Sequence, residues 1–382
     1  MKVLIVGGGI TGTSLAVLLA RAGVTVELAE LKPDWSALGS GITLQGNALR
    51  VLRELGVWEQ VRDKGHPFDS IGIRTPNGDL LVENDDIRSG GPDLPATLGM
   101  YRPDLCAVLV DAAERAGARL MLGRTVTSVD PVTFADGSTR KYDLVIGADG
   151  IRSSVRGMLG IDVQPRPVGM GAWRVHTRRP DSVRRTELMY GGPCYIAGYC
   201  PTGQDSIYAY LVEQPRDKTT LPDDRLAEIM RELAEPYGGA WNDIKPHITA
   251  SAPINYTWFE SLLVEGPWNR GNVMLIGDAV HACPPTLAQG AAQCLEDSLV
   301  LAELLLARGT IDQALFDSFT DRRIDRIRTV VETSPDRTLA DGARPGRRHP
   351  RRDASRGDHD ERTSVAVRSR RGTAARTAAA SA

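Results

Sequence analysis

The stretch 2-KVLIVGGGITGTSLAVLLARAGVTVELAE-30 decides the fold. Residues 2–6 are a short apolar, β-branched run, the pattern of a strand buried on both faces of a parallel sheet. Glycines follow, then TSLAVLLARAG reads as a helix ending at Gly23, and VTVELAE as a second strand. Strand, helix and strand in this order form a βαβ unit, so the predicted class is α/β and Rossmann-like. Within it, 7-GGGITG-12 fits G-x-G-x-x-G at Gly7, Gly9 and Gly12, after a strand and at the head of a helix. The first glycine makes the tight turn. The second lets backbone approach a pyrophosphate, whose charge meets the helix N-terminus, and the third allows close helix–strand packing. Glu30 ends the second strand. Its carboxylate suits a ribose 2′-hydroxyl and repels a 2′-phosphate, so the bound nucleotide is expected to be FAD or NAD rather than NADP.

Working outward, residues 47–65 read as helical, 68–100 as short strands and turns, and 103–116 as helical again. LMLGRTVTSVD is strand-like, Asp136-Gly137 signals a hairpin, and YDLVIGADG is a strand. From about 164 to 264 strands dominate, in MGAWRVHTR, TELMYGG, CYIAGYC and SIYAYLVE, with one helix near 223–235. NVMLIGDA is a further strand and 289–308 a long helix. The expected organisation is a discontinuous dinucleotide-binding domain over 1–67, 100–163 and 268–333, with a β-sheet-rich substrate domain inserted at 68–99 and 164–267. Residues 334–382 are arginine-rich, lack lysine and apolar periodicity, and read as a disordered tail. A shifted reading frame in a GC-rich gene would also yield this composition.

The chain has 382 residues, 42% of them hydrophobic and 25% charged, with formal net charge -2. This balance does not favour nucleic acid or an anionic membrane as partner. Cys106, Cys194, Cys200, Cys283 and Cys294 are scattered, odd in number and lack CxxC spacing, which suits a reducing cytoplasm. His281 and Cys283 have no second pair of ligands, so no metal site is expected. No apolar run reaches membrane-spanning length, and the N-terminus reads as a buried strand rather than a signal peptide.

Two further motifs carry chemistry. In 143-DLVIGADGIRSSVR-156 a buried strand runs into Gly-Ala-Asp-Gly, with Ser153 or Ser154 placed to cap a helix. In 277-GDAVHACPPTLAQGAAQCLEDS-298 the strand NVMLI delivers Gly277-Asp278 at its C-terminal end, where open α/β sheets bind ligands. Asp278 can accept hydrogen bonds from sugar-like hydroxyls. Pro284-Pro285 are expected to fix a loop that cannot become helix, and Gln289-Gly290 to open the long helix with free backbone N–H groups. Those donors suit a ring carbonyl or developing negative charge. The loop is apolar, as if it lies against a flat aromatic cofactor.

Together GxGxxG with a distant acidic residue, DLVIGADGxxSxxR, and GDAxH…P…QG…ED resemble the class A flavoprotein monooxygenases, the FAD-dependent aromatic hydroxylases that include p-hydroxybenzoate and salicylate hydroxylases. The resemblance covers roughly residues 1–333 and implies a glutathione-reductase-type FAD domain with a β-sheet substrate domain. It implies that Gly7, Gly9, Gly12 and Glu30 hold the ADP half of FAD and that Arg102, in YRPDL, reaches the flavin's central region. It places Asp149 in FAD and NAD(P)H binding, Asp278 on the ribityl chain, and Pro285 with Ala288, Gln289 and Gly290 beside the isoalloxazine. Ala288 stands where the family usually has glycine, and Thr286 where it often has asparagine. The implied reaction is hydroxylation of an aromatic, phenolic small molecule: NADH or NADPH reduces the flavin, O2 adds to give a C4a-hydroperoxide, and the ring attacks its distal oxygen. A monomer or homodimer is expected. An isoprenoid reductase or epoxidase on the same fold, and an inactive flavin-binding remnant, are the alternative readings. No side chain is identified as the catalytic base. Trp173 and Arg174 are candidates to face the substrate, and Tyr190, Tyr195, Tyr199, Tyr208 and Tyr210 recur at strand-like spacing, mostly as sheet packing with one candidate to bind a phenol.

Overall fold

The computed structural model describes residues 1–35, 39 and 41–334. The tail reading falls on residues outside this range, apart from Ser334. The βαβ unit is present as strand Lys2–Val6, helix Ile10–Arg21 and strand Thr25–Glu30. These strands belong to a six-stranded sheet ordered Asn269–Arg270, Val273–Leu275, Leu144–Gly147, Lys2–Val6, Thr25–Glu30, Arg119–Leu122. Its pairs are parallel except the first. Parallel registration aligns the carboxyl ends: Val6 lies beside Gly147 on one side and Ala29 on the other. The three motifs therefore emerge along one rim, since Gly7, Ala148 and Ile276 each begin where a central strand stops.

A second sheet of eight strands is ordered His281–Ala282, Ile254–Leu263, Arg166–Arg178, Ser206–Glu213, Ile196–Pro201, Thr186–Met189, Ser70–Arg74, Leu80–Asp85. Along Arg166–Arg178 side chains alternate between faces. Trp173 and Val175 enter a core with Trp241, Tyr237 and Met230, while Ala172 joins the opposite cluster with Met170, Val212 and Phe259. A third sheet of Ile42–Gln45, Thr97–Met100 and His66–Phe68 runs alongside. The third motif bridges the two main sheets: Val273–Leu275 belongs to the first, and His281–Ala282 pairs with Leu262 and Leu263 in the second.

Several local expectations are corrected. The helical stretch 47–65 is two helices, Gly46–Glu54 and Trp58–Lys64, because Gly56 takes a left-handed φ of 66° after the first. LMLGRTVTSVD splits into Arg119–Leu122 and Val126–Val129, and the latter pairs with Val132–Phe134 around Asp130–Pro131. The long strand Ile254–Leu263 and the short helix Trp241–Ile244 were not singled out by pattern, because the strand is half-buried on both faces and the helix is a single turn. Pro285–Leu287 forms a 3-10 turn where an irregular loop is expected, since proline is tolerated at the first position of a helical turn.

Candidate active site

At the rim the glycines divide their roles by geometry. Gly7 has φ 109°, and a Cβ there would lie 2.4 Å from the Ala148 carbonyl oxygen. At Gly12 a Cβ would lie 2.0 Å from the Gly7 carbonyl oxygen, so only glycine lets helix and strand approach this closely. Gly9 faces open space, with nothing within 4 Å of an added Cβ. It precedes helix Ile10–Arg21, which begins without a side-chain cap, leaving its first N–H groups directed at that space. Glu30 accepts the Gly8 N–H at 2.7 Å and the Lys32 N–H at 2.9 Å, drawing the glycine loop onto the end of the second strand.

Ser153, one of the two expected caps, is the N-cap of helix Ser154–Met158 and accepts the Arg156 N–H at 2.9 Å, and Asp149 joins it in capping that helix. Asp149 accepts the N–H groups of Ser154 at 2.7 Å and Val155 at 3.1 Å, and the hydroxyls of Ser153 and Ser154. The buried Arg156 of the same motif donates to the Ala279 carbonyl at 2.8 Å, tying the second motif to the third. Asp278 sits in a 3-10 turn over Gly277–Ala279. Burial pushes its carboxyl up, opposed by His281, a hydrogen bond from Cys294 at 3.3 Å, and Arg102. Arg102 begins helix Arg102–Arg115, is exposed, and has no hydrogen-bond or ion-pair partner among the described residues. Ala288 is the one non-glycine residue with positive φ, 51°, among the described residues. Gln289 and Gly290 then open helix Gly290–Arg308, again without a side-chain cap.

Under this loop lies a polar network that sequence reasoning missed. Asp297 is fully buried. It accepts the Gly277 N–H at 2.9 Å, His281 Nε2 at 2.7 Å and Arg323 Nε at 2.7 Å. Burial alone would raise the Asp297 carboxyl, but His281 and Arg323 hold it below the usual carboxylate range. Glu296 pairs with Arg323 and Arg326, and accepts from Asn47 at 2.8 Å. Asn47 also donates to Gln289 at 3.1 Å, Gln289 donates to Gln45, and Gln45 reaches the Leu287 carbonyl at 3.3 Å. The Glu296-Asp297 pair was visible in sequence. Its arginine comes from another helix, and no spacing signals it.

Between the eight-stranded sheet and the loop 285–288 lies a cavity of about 260 Å³. Arg174, Asp86, Tyr190, Tyr208 and Tyr210 line it among apolar walls such as Phe259 and Leu188. Arg174 donates to Thr257 at 2.5 Å and lies 5.5 Å from the Phe259 ring centre. Trp173, one residue earlier, points into the core and donates to Glu213 at 2.7 Å, so only Arg174 of that pair reaches the cavity. Burial raises the phenol pKa of Tyr190, Tyr208 and Tyr210, so all three stay neutral and can donate hydrogen bonds. Tyr199 is a core residue bonded to Glu187, and Tyr195 packs beside Val212 and Phe259.

The three motifs thus meet at the carboxyl ends of a parallel sheet, and a cavity of mixed polar and apolar lining opens beside the loop 285–288. Residues 1–334 match the family described as an FAD binding domain, and the chain belongs to that family as an FAD-dependent aromatic monooxygenase. It is 31% identical over 365 residues to a 6-hydroxynicotinate 3-monooxygenase of Bordetella bronchiseptica, covering 88% of this chain and 91% of that one. It is 31% identical over 340 residues to a 2-heptyl-3-hydroxy-4(1H)-quinolone synthase of Pseudomonas aeruginosa, covering 86% and 87%. Among solved structures, 2-methyl-3-hydroxypyridine-5-carboxylic acid oxygenase aligns with TM-score 0.75 and 25% identity over 89% of this chain and 92% of that one. Klebsiella pneumoniae HpxO complexed with FAD aligns with TM-score 0.78 and 22% identity, over 90% and 91%, a likeness of fold. The residues present fit FAD: the space in front of Gly9 is open, two helices start uncapped at the rim, and Arg102 offers an uncommitted cation. Among the described residues, no helix is long and apolar enough to cross a membrane.

Proposed function

We propose that this monooxygenase hydroxylates a one- or two-ring aromatic held in the cavity between the eight-stranded sheet and residues 285–288. The observation that carries this reading is the shared wall: the same cavity is lined by Arg174 from the sheet and by Pro285 to Ala288 from the rim. Its volume of about 260 Å³ lies below the usual range for drug-sized ligands. In this proposal Gly7, Gly9, Gly12 and Glu30 hold the ADP half of FAD, and Arg102 and Asp278 its central portion. The backbone of Ala288, Gln289 and Gly290 then borders the ring system, and Asp149 supports the rim by capping its helix. When bound, FAD reduced by NADH or NADPH activates O2 and supplies the oxygen atom. The protein contributes position and electrostatics. Arg174 stabilises an anionic oxygen on the ring, the neutral tyrosines donate hydrogen bonds, and the apolar walls exclude water. The five thiols, none paired in a disulfide, fit work in a reducing cytoplasm.

The test is oxidation of NADH and NADPH by FAD-loaded protein across a panel of hydroxylated aromatics under labelled O2. The expected result is substrate-stimulated oxidation with one labelled oxygen in the product. A panel that leaves the basal oxidation rate unchanged overturns the reading.

A further inference from the structure

The triplet 7-GGG-9 holds one glycine more than the fingerprint requires. Gly7 makes the turn, Gly9 the approach to phosphate, and Gly12 the helix–strand contact. Gly8 occupies a position the pattern leaves open, and the structure supplies a reason for it. A Cβ on Gly8 would lie 2.5 Å from Trp35 Cζ3 and 3.1 Å from Trp35 Cη2, so the indole rests on the bare backbone of the glycine loop. The same Cβ would lie 2.9 Å from Glu30 Oε2, which accepts the Gly8 N–H at 2.7 Å. Gly8 is therefore the point where a carboxylate and an aromatic ring meet, just ahead of helix Ile10–Arg21.

Trp35 is not buried like the core aromatics. Residues 31–34 before it are exposed, and its own ring is half-buried against the main apolar cluster. Among the described residues no second aromatic ring pairs with it. A ring that only covered apolar side chains would not require a glycine beneath it, a residue that costs backbone entropy on folding. Three chemistries stand together here. The uncapped helix offers N–H groups to a pyrophosphate. The Glu30 oxygens each take one N–H, from Gly8 and Lys32, and each keeps a lone pair for a ribose hydroxyl. The indole offers a flat π surface to a base.

We infer that Trp35 is an FAD-binding residue that flanks the adenosine half, its indole against the adenine, and that Gly8 is glycine to admit that ring. This rests on the proposed placement of the ADP half along Gly7, Gly9, Gly12 and Glu30, and adds the residue that recognises the base. With Arg102, Asp278 and residues 288–290 proposed for the other end of the cofactor, the base beside Trp35 is adenine rather than flavin. Trp35 thereby sets affinity for the adenosine end, and with it the preference for FAD over FMN.

The experiment uses full-length deflavinated protein as wild type, Trp35→Phe, Trp35→Ala and Glu30→Ala. ADP binding is read from intrinsic tryptophan fluorescence and from displacement of FAD, and FAD and FMN are titrated by flavin fluorescence. FMN keeps the ring and ribityl chain and lacks the adenosine. ADP is expected to change the tryptophan emission of the wild type. Trp35→Phe should still bind ADP but lose that change, because the indole that reports it is gone. Trp35→Ala should weaken ADP and FAD about tenfold, the order of one base–aromatic stack, and leave FMN unchanged. An emission change that persists in Trp35→Phe overturns the inference. So do wild-type ADP and FAD affinities in Trp35→Ala, or equal losses for FAD and FMN, which would make Trp35 a support of the fold alone. If Glu30→Ala weakens ADP and FAD while Trp35→Ala does not, the placement of the ADP half stands and the Trp35 assignment falls. If neither variant weakens them, both fall.

Discussion

Ala288 shows how one residue can carry local strain at a functional rim. Its φ of 51° is the left-handed conformation that a Cβ disfavours by roughly 1–2 kcal/mol. Ala288→Gly is therefore expected to leave FAD binding intact and raise stability by up to about 1 kcal/mol, read as a small upward shift in Tm. Ala288→Val places a β-branched residue in the same conformation and adds volume beside the proposed ring position, costing about 1–3 kcal/mol. In fully flavin-loaded protein it should shift the flavin absorption band and divert NAD(P)H oxidation toward hydrogen peroxide. An unchanged spectrum and product ratio would remove the loop from the ring. Asp278 belongs to the same scale. With Cys294 as its one side-chain hydrogen-bond partner among the described residues, its carboxylate remains available to a ligand hydroxyl. Asp278→Ala should weaken FAD retention about ten- to a hundredfold, and equal flavin content after dialysis would contradict this.

At the scale of elements, helix Gly290–Arg308 is fastened to the rim by charge rather than by apolar packing alone. Asp297 holds Gly277 and His281 on one side and Arg323 on the other. Asp297→Asn leaves the Arg323 guanidinium without one of its buried partners, a change that typically costs about 3–5 kcal/mol. Because the same carboxylate positions Gly277 next to Asp278, FAD affinity should fall along with Tm. A variant that loses stability but keeps wild-type FAD affinity would limit the network to folding. The pH dependence follows from the sign of the shift. The folded pKa of Asp297 is depressed, so its contribution is present above the unfolded value, near 4, and is lost as pH falls through the folded value. Acid unfolding monitored by FAD release should therefore steepen below about pH 4 in the wild type, and less so in Asp297→Asn.

For the whole molecule, the third motif is a strap from one sheet to the other. Val273–Leu275 pairs in the six-stranded sheet and His281–Ala282 in the eight-stranded one, with Asp278 between them. A ligand that contacts the glycine loop, Arg102 and this strap therefore links segments from both ends of the chain. FAD should stabilise the fold by mass action, about 2.7 kcal/mol at a free concentration 100 times Kd. Deflavinated protein should unfold several degrees earlier, with Tm rising as the logarithm of added FAD. Identical Tm values with and without FAD would mean that the cofactor binds a preformed and an unfolded chain equally, and would contradict the cradle.

The βαβ unit and its glycines were legible in sequence because their causes are local. A β-branched run, a turn needing φ near 109° at Gly7, and a helix that must touch a strand at Gly12 each restrict residue type at a fixed spacing. The Asp149 turn and the Gly277-Asp278 strand end were legible for the same reason. The cavity was not. Arg174 and Trp173 are neighbours in sequence, and the pleat sends one to the cavity and the other to the core. Pattern marks such a strand but cannot say which face is dry until helix Leu226–Ala234 covers one of them. Asp86 lies past the end of an exposed edge strand and resembles any polar loop residue, and only the pairing of Gln45 with Thr97 brings it to the rim. Arg323 is 26 residues from Asp297, and its charge becomes structural only because two helices meet. Local conformational preference is written in neighbouring residues. Which charges are desolvated together depends on contacts between distant segments, and those exist only once the chain has folded.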